Sequence, residues 1–263
     1  MYKFGMRTAF LRRIVFKYAF ALLITICCRH LHGSAQTPYP NDPEISDSLG
    51  IPKDSLKFYF PQNSNPDKGF SGKGGLFKEN WYSSALYAFK EPILYNYYLK
   101  KDIFRFLWLR SFHRPVIFIL TRSDDEVTLT TKLLDQQPDF LERRYDPRGW
   151  DGLEGSLKGK TIQRFGDSLI IVQADRKAKI VYTHTQPCTV KNWYDFEQLL
   201  QKANFWQMSA TDEGETGLDG SEWIIEGHLK SNYRFAARWS PKGGFKTAGI
   251  FLIKLSGLEE SIY

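Results

Sequence analysis

Residues 219–241 read DGSEWIIEGHLKSNYRFAARWSP, and this stretch decides the fold. Side chains alternate along its first half with the period of two that is typical of a half-buried strand. The second half alternates in the same way between aromatic and arginine side chains. One face comprises Trp223, Ile225, Leu229, Tyr233, Phe235, Ala237 and Trp239, and the other comprises Glu222, Ile224, Glu226, His228, Arg234, Ala236 and Arg238. The pattern predicts a β-hairpin.

The turn of this hairpin decides which residues face each other. Lys230, Ser231 and Asn232 suit a three-residue loop in which Asn232 adopts the left-handed conformation. This register places Trp223 beside Trp239 and keeps the apolar residues on one face. A two-residue loop would mix the two faces, which sheet packing disfavours. We therefore expect a three-residue loop and a cross-strand tryptophan pair.

The polar face of the hairpin has two interpretations. If it is solvated, Arg238 lies diagonally within reach of Glu222 and Glu226, and the charges form a ladder of cross-strand ion pairs. Exposed pairs of this kind contribute about 0 to 1 kcal/mol each. The alternative is a polar site that combines the two carboxylates, the two arginines and the imidazole of His228. Charged residues on an exposed strand are common, so the solvated ladder is preferred.

Residues 1–35 have the features of a signal peptide. Basic residues precede an uninterrupted apolar and small-residue run at 18–28, and the Gly-Ser-Ala sequence at 33–35 is typical of a cleavage site. The apolar run is shorter than the roughly 20 residues of a membrane span. We therefore expect an exported protein, periplasmic or secreted. An uncleaved leader, or a lipid on Cys27 or Cys28, is the alternative and would give the only membrane contact.

The basic character of the chain comes from this leader. The chain has 36 basic and 29 acidic residues, but residues 1–35 hold six of the basic residues and no acidic residue, which leaves 30 against 29. A nearly neutral domain lacks the basic surface that nucleic-acid binding requires, so no nucleic-acid partner is expected. Cys188 alone remains after cleavage, and no intrachain disulfide is expected.

Composition divides the rest of the chain into a linker and one domain. Residues 36–76 are rich in proline and glycine and predict a flexible linker, because they bury too little apolar surface to offset the entropy of ordering. Residues 77–263 predict a single α+β domain, with an antiparallel sheet of about six strands built from hairpins and two or three packed helices. Besides the hairpin, the predicted strands cover residues 103–112, 116–120, 127–133, 168–174 and 178–185. The predicted helices cover residues 79–90, residues 190–203 after an N-cap at Thr189, and a C-terminal segment ending at Gly257.

A long loop is predicted at residues 136–160, which are rich in proline, glycine and charge. Loops of this length are usually functional or disordered. Trp150 lies here in a polar segment, whereas most of the other tryptophans occupy positions with the spacing of a core. Trp150 and the nearby Tyr145 are therefore the expected ligand-binding aromatic residues.

The sequence contains no spacing that defines a catalytic or cofactor site. His184 and Cys188 are too few for zinc, which needs a cluster of ligands, so no metal or cofactor is expected. The two glutamates of the first hairpin strand would lie about 13 Å apart, too far for glycoside hydrolysis. His113, Glu226 and Arg238 remain as candidate catalytic residues, each with a structural role as its first interpretation.

Four segments form an ordered set of motifs. They are RFLWLRSFHRP at 105–115, DGSEWIIEG at 219–227, RWSP at 238–241 and LSGL at 255–258. Together they resemble the opening and closing motifs of a family of uncharacterised bacterial proteins, over most of residues 103–258. That family has no established activity, substrate or catalytic residues, so the resemblance implies no function.

These observations favour a non-enzymatic exported protein of the bacterial envelope, a binding or interaction module with a protein or glycan partner. The alternative is an envelope hydrolase that uses the polar residues of the hairpin at 219–241 together with His113. A third option is an immunity or inhibitor protein with a flat, charged face. Geometry separates the first two hypotheses, because convergence of His113, Glu226 and Arg238 in an open cleft would favour the hydrolase.

Overall fold

The main sheet is antiparallel, and its central strands are covered on both faces. The computed structural model describes residues 39–54, 57–61, 75–138, 141–145, 160–165, 168–173, 177–212 and 219–260, with only the backbone at 75–77, 141–145, 160–165 and 168–173. The strands are β1 (Asp102–Arg110), β2 (Val116–Ser123), β3 (Glu126–Leu134), β4 (Leu141–Tyr145), β5 (Lys160–Phe165), β6 (Ser168–Gln173), β7 (Ile180–Cys188), β8 (Ser221–Leu229) and β9 (Asn232–Trp239). The helices are α1 (Gly75–Ala88), α2 (Val190–Lys202) and α3 (Gly243–Ser256), with a short 3-10 helix at Phe205–Gln207.

Strand order places β1 near the centre of the main sheet. Six strands follow the order β7-β3-β2-β1-β8-β9, and β4, β6 and β5 form a separate three-stranded sheet. The predicted α+β class, with an antiparallel sheet of about six strands and three helices, is confirmed. β3 and β7 pair directly, with Leu134 opposite Ile180. The chain therefore leaves the main sheet after β3, forms the small sheet and returns beside the strand it left.

One face of the main sheet packs against α2 and α3. The buried residues of this layer include Phe104, Phe106, Trp108, Phe118, Trp193, Phe196, Trp223 and Leu252. The Trp223 ring lies 5.0 Å from the Phe106 ring and 5.8 Å from the Trp108 ring, measured between centroids. Gly249 brings α3 close to this cluster, because a Cβ atom there would overlap the indole of Trp223.

The opposite face is covered by α1 and by chain segments that precede and follow it. The buried residues of this second layer include Tyr59, Phe60, Tyr82, Leu86, Phe89, Leu107, Leu109, Ile224 and Phe235. Alternate residues of β1 thus enter two different hydrophobic clusters. Because both faces are covered, the strand alternation separates two interiors rather than a core from solvent.

The hairpin of β8 and β9 forms, but its register differs from the predicted one. Leu229 pairs with Asn232 and Trp223 pairs with Arg238, so the loop contains two residues, Lys230 and Ser231. The predicted three-residue loop and the Trp223–Trp239 pair are therefore wrong.

Tertiary contacts hold the hairpin loop in its observed position. The N–H of Lys230 donates to Asp102 Oδ1 at 2.9 Å, and the Tyr39 hydroxyl donates to the carbonyl oxygen of Leu229 at 2.6 Å. These partners come from distant parts of the chain. Separation of polar from apolar residues favours a three-residue loop when one face of the hairpin is solvated. Both faces of β8 are buried, so this preference does not apply here.

Two predicted helix ends are confirmed in atomic detail. The side chain of Thr189 accepts a hydrogen bond from the backbone N–H of Asn192, and the Asn192 side chain reaches back to the N–H of Thr189, which forms a capping box on α2. Gly257 ends α3 with φ of 69°, in the left-handed region that favours glycine.

Part of the predicted linker is packed on the domain. Tyr39, Phe58, Tyr59 and Phe60 are buried, and the N–H of Asn41 donates to the carbonyl oxygen of Asn96. The described residues between 39 and 61 therefore form part of the second layer, and the prediction that they are flexible is wrong. Their aromatic side chains supply the buried surface that proline and glycine content alone did not suggest.

The predicted loop at 136–160 contains the strand β4 and the first residue of β5, so its description as a loop is wrong at residues 141–145 and at Lys160. Strand β6 matches the predicted strand at 168–174, although it belongs to the small sheet. The leader at 1–35 lies outside the described residues and stays a prediction. Among the described residues, no helix is both long and apolar enough to span a bilayer.

Candidate functional site

The polar face of β8 is buried, which makes the predicted solvated ladder wrong. Glu222 and His228 are 0% exposed and Glu226 is 1% exposed. Helix α1 and the segments around it cover this face, and they lie far from β8 in sequence. Strand alternation identified these side chains as polar but could not reveal the layer above them.

Glu226 is held in the interior by Arg105 and Tyr233. Arg105 donates from Nε to Glu226 Oε2 at 2.6 Å, its Nη2 lies 2.6 Å from the same oxygen, and the Tyr233 hydroxyl donates to Oε1 at 2.9 Å. Burial raises the pKa of the Glu226 carboxyl, and Arg105 and the Tyr233 hydroxyl oppose that rise. Burial lowers the pKa of Arg105, but Glu226 outweighs it and the net shift is upward. The predicted Arg238–Glu226 contact is replaced by Arg105.

Arg238 and His113 lie away from Glu226. Arg238 pairs with Trp223, so these two side chains share one face of the sheet and Glu226 lies on the opposite face. Arg238 donates to the carbonyl oxygen of Ser209 at 2.9 Å. His113 is exposed in the turn after β1. That turn follows Arg110, which lies roughly 17 Å along the strand from Arg105, the residue opposite Glu226. The three candidate catalytic residues therefore do not converge.

His228 has a structural environment. Its Nδ1 lies 2.7 Å from the carbonyl oxygen of Leu94, and the N–H of Leu99 donates to Nε2 at 3.1 Å. This arrangement fits a neutral ring that donates from Nδ1 and accepts at Nε2. Burial lowers the pKa of His228 to about 4. The ring of Tyr98 stacks on the imidazole at 5.3 Å between centroids.

Glu222 is paired from the helix above it. Lys78 Nζ of α1 lies 3.5 Å from Glu222 Oε1. Burial raises the pKa of the Glu222 carboxyl, while Lys78 and the Tyr82 hydroxyl act in the opposite direction. The carboxylate contributes to docking α1 on the sheet and does not open to solvent.

The remaining predicted sites are described only in part. Trp150 lies outside the described residues, and of Tyr145 only the backbone is described. Cys188 is a free thiol, and burial raises its pKa. Among the described side chains, no group of three His, Cys, Asp or Glu residues is placed to hold a metal ion.

A pocket lies beside the buried Arg105. It has a volume of about 200 Å³ and is formed by the connection from α1 to β1 and by strands β1, β2 and β3. Its lining residues are Lys90, Glu91, Pro92, Leu94, Lys101, Ile103, Arg105, Ile119, Thr130 and Lys132. Four of the ten side chains are cationic and one is acidic, so the pocket is strongly basic in an otherwise nearly neutral domain.

Ion pairs neutralise two of the four cations. Lys132 Nζ donates to Glu91 Oε1 at 2.7 Å, and Arg105 Nη1 lies 3.9 Å from Glu91 Oε2. With Glu226 on the other side of Arg105, two carboxylates balance two cations. Neither Lys90 nor Lys101 forms an ion pair with another described residue, and both are exposed. Two positive charges at the pocket mouth are therefore uncompensated within the described part of the domain.

The sequence gives little sign of this pocket. The alternation of Thr130 and Lys132 along β3 identifies a polar strand face, and Lys100-Lys101 is a visible basic pair. The lining residues come from three strands and a connection, and only the strand order of the folded sheet shows that they meet.

Comparison with known proteins gives no functional information. No protein-family model matches the chain, and neither a curated protein nor a solved structure is significantly similar to it.

Proposed function

We propose that the protein is a non-enzymatic binding module of the bacterial envelope and that the pocket beside Arg105 is its binding site. The observation that carries this proposal is the contrast between the two polar regions. Glu226, the candidate base, is paired in the interior and lies away from His113 and Arg238, whereas the pocket presents uncompensated charge to solvent.

The burial of Glu226 supports binding over hydrolysis. A general base or nucleophile must reach the substrate, and both oxygens of Glu226 are taken by Arg105 and Tyr233. His113 lies beyond the far end of β1, so it does not supply a second catalytic group nearby. The pocket lining combines four apolar side chains with five charged ones, and convergent charged groups of this kind fix the orientation of a bound ligand.

Export is the second part of the proposal and depends on the leader at residues 1–35. Fractionation of the host cells with N-terminal sequencing of the purified protein tests it. We expect the mature protein outside the cytosol, without the leader or anchored through it. An intact chain in the cytosol that begins at Met1 or Met6 would contradict export.

Equilibrium dialysis tests the binding function directly. The full-length protein is dialysed against a mixture of small anionic, cationic and neutral metabolites, and mass spectrometry measures which compounds are retained or consumed. A binding module retains one or more compounds unchanged. The variant Thr130→Trp, which adds a bulky side chain to the pocket wall, should lose that retention. Conversion of a compound into products would favour the hydrolase, and an equal distribution of all compounds would overturn the proposal.

A further inference from the structure

We propose that the pocket beside Arg105 binds a small organic dianion, a short carbon skeleton that carries two negative charges as a dicarboxylate or a phosphate monoester. This inference names the ligand class of the proposed binding site and therefore rests on the proposed binding function. It depends on three independent features of the described residues: the charge at the pocket, its size and apolar walls, and the backbone conformation of Lys90.

The net charge of the pocket side chains determines the sign and the number of charges that the ligand carries. Arg105, Lys132, Glu91 and Glu226 form a neutral network, and Lys90 and Lys101 add two positive charges at the mouth. A ligand with two negative charges would balance them. A cation would meet four ammonium or guanidinium groups, and a neutral ligand would leave the two lysines uncompensated.

The pocket walls determine the ligand's size and its apolar part. Pro92, Leu94, Ile103 and Ile119 line the pocket beside the charged groups. The pocket has a volume of about 200 Å³. This is below the usual range for drug-sized ligands. It fits a short carbon chain with anionic groups better than a polymer or a nucleotide.

Lys90 occupies a backbone position that favours glycine. Its N–H donates to the carbonyl oxygen of Tyr87, and the N–H of Glu91 donates to that of Leu86, which together form a Schellman motif at the end of α1. Lys90 is the left-handed residue of this motif, with φ of 57°. A side chain at this position strains the backbone, and here the strained residue places a lysine on the pocket wall.

Lys100 provides a matched control for Lys90. It is also an exposed lysine with a left-handed backbone, with φ of 59°, and it is a sequence neighbour of the pocket residue Lys101. It does not line the pocket. The variants Lys90→Gly and Lys100→Gly therefore remove the same charge and relieve the same type of strain, and they differ in access to the ligand.

Isothermal titration calorimetry with the full-length protein tests the ligand class. The probes are succinate and glycerol 3-phosphate as dianions, butyrate as a monoanion, succinamide as a neutral analogue and inorganic phosphate as an anion without a carbon skeleton. We expect the dianion with a carbon skeleton to bind about tenfold more tightly than butyrate or succinamide, with an affinity that falls as salt is added. A preference between succinate and glycerol 3-phosphate identifies the anionic group.

The two glycine variants separate binding from stability. Both should raise the midpoint of thermal unfolding by roughly 2–4 °C. Lys90→Gly should weaken binding of the preferred dianion by about tenfold, whereas Lys100→Gly should leave it nearly unchanged. Equal affinities for the two variants, or equal binding of succinamide and succinate, would overturn the dianion inference. Retention of a neutral or cationic metabolite in the dialysis experiment would also overturn it while leaving the binding function in place.

Discussion

Arg105 and Glu226 face each other across the central strands β1 and β8, and their side chains meet in the interior with Nε and Oε2 2.6 Å apart. The two residues are 121 positions apart in sequence. Their pairing links the sheet to the pocket, because Arg105 also donates from Nη1 to the carbonyl oxygen of Pro92 at 2.7 Å. The ion pair thereby positions the connection that forms one wall of the site.

Removing one partner of this pair should destabilise the fold strongly. Arg105→Met leaves the Glu226 carboxylate buried without its cation and should reduce the free energy of unfolding by about 3–5 kcal/mol. The double variant Arg105→Met with Glu226→Leu should recover most of that loss, because no unpaired charge remains. Urea denaturation of the two single variants and the double variant gives the coupling energy.

An exposed pair provides the control for this cycle. Lys191 and Asp195 are 2.6 Å apart on α2, with the lysine side chain 79% exposed. Lys191→Met should change the free energy of unfolding by less than about 1 kcal/mol. If the losses in unfolding free energy of Arg105→Met and Glu226→Leu simply add in the double variant, the two side chains are not energetically coupled and the prediction is wrong.

Stability should fall between neutral and acidic pH because of His228. Its pKa is lowered from 6.5 to about 4 in the folded protein, so the unfolded chain binds the proton first as the pH falls. The stabilisation is therefore complete above pH 6.5 and is lost progressively towards pH 4. The full loss is about 3 kcal/mol. Denaturant melts across this range measure it.

The variant His228→Gln isolates this contribution. A glutamine amide can replace the neutral imidazole but does not titrate, so the variant should be less stable at neutral pH and its stability should depend less on pH. The positive charges of Arg105 and Lys101 lie near the ring and also lower the pKa of His228. His113→Gln, in an exposed turn, should keep the pH dependence of the unaltered protein. The same slope in both variants would rule out His228 as its source.

Helix α3 should not tolerate a side chain at Gly249. Alanine has the higher helix propensity, but its Cβ would overlap the indole of Trp223 and lie 3.2 Å from Phe106. We expect Gly249→Ala to destabilise the fold by about 1–3 kcal/mol through overpacking. Thr247→Ala, at an exposed position of the same helix, should be neutral or slightly stabilising. Thermal unfolding of both variants tests the close contact, and stabilisation by both would exclude it.

The segment before α1 should contribute to stability. Phe60 is fully buried, and its ring lies 4.8 Å from that of Phe235 on β9. Phe60→Ala should therefore cost about 3–5 kcal/mol. Ile51, in the same segment, is 57% exposed, and Ile51→Ala should change stability by less than about 0.5 kcal/mol. Urea denaturation compares them. A flexible linker would instead give two equally small effects.

Features that depend on neighbouring residues could be predicted from the sequence. The cap of α2 at Thr189, the end of α3 at Gly257 and the strand character of residues 103–110 all follow from short-range patterns. The predicted strand extends to residue 112, two residues beyond the end of β1. The same holds for the α+β class, since hairpins and amphipathic helices can be recognised one at a time.

Features that depend on the second layer of the fold could not be predicted from the sequence. Alternation on β8 separates Trp223 from Glu226, but both faces of that strand are buried, so the pattern does not show that Glu226 is inside. Its partner Arg105 is on another strand, and the covering residue Tyr59 lies in a segment whose composition suggests a linker. The pocket depends on these same long-range contacts.

The adjacency of β3 and β7 has a consequence for how this protein tolerates change. The chain departs at Leu134 and rejoins at Ile180, and these two residues are opposite each other. The last residue of β3 and the first residue of β7 are therefore paired on adjacent strands. A short turn could bridge them, or a foreign domain could be grafted between them, without altering the path of any strand in the main sheet. Evolution and protein engineering alike could gain or lose a module at this point while keeping the pairing of β3 with β7.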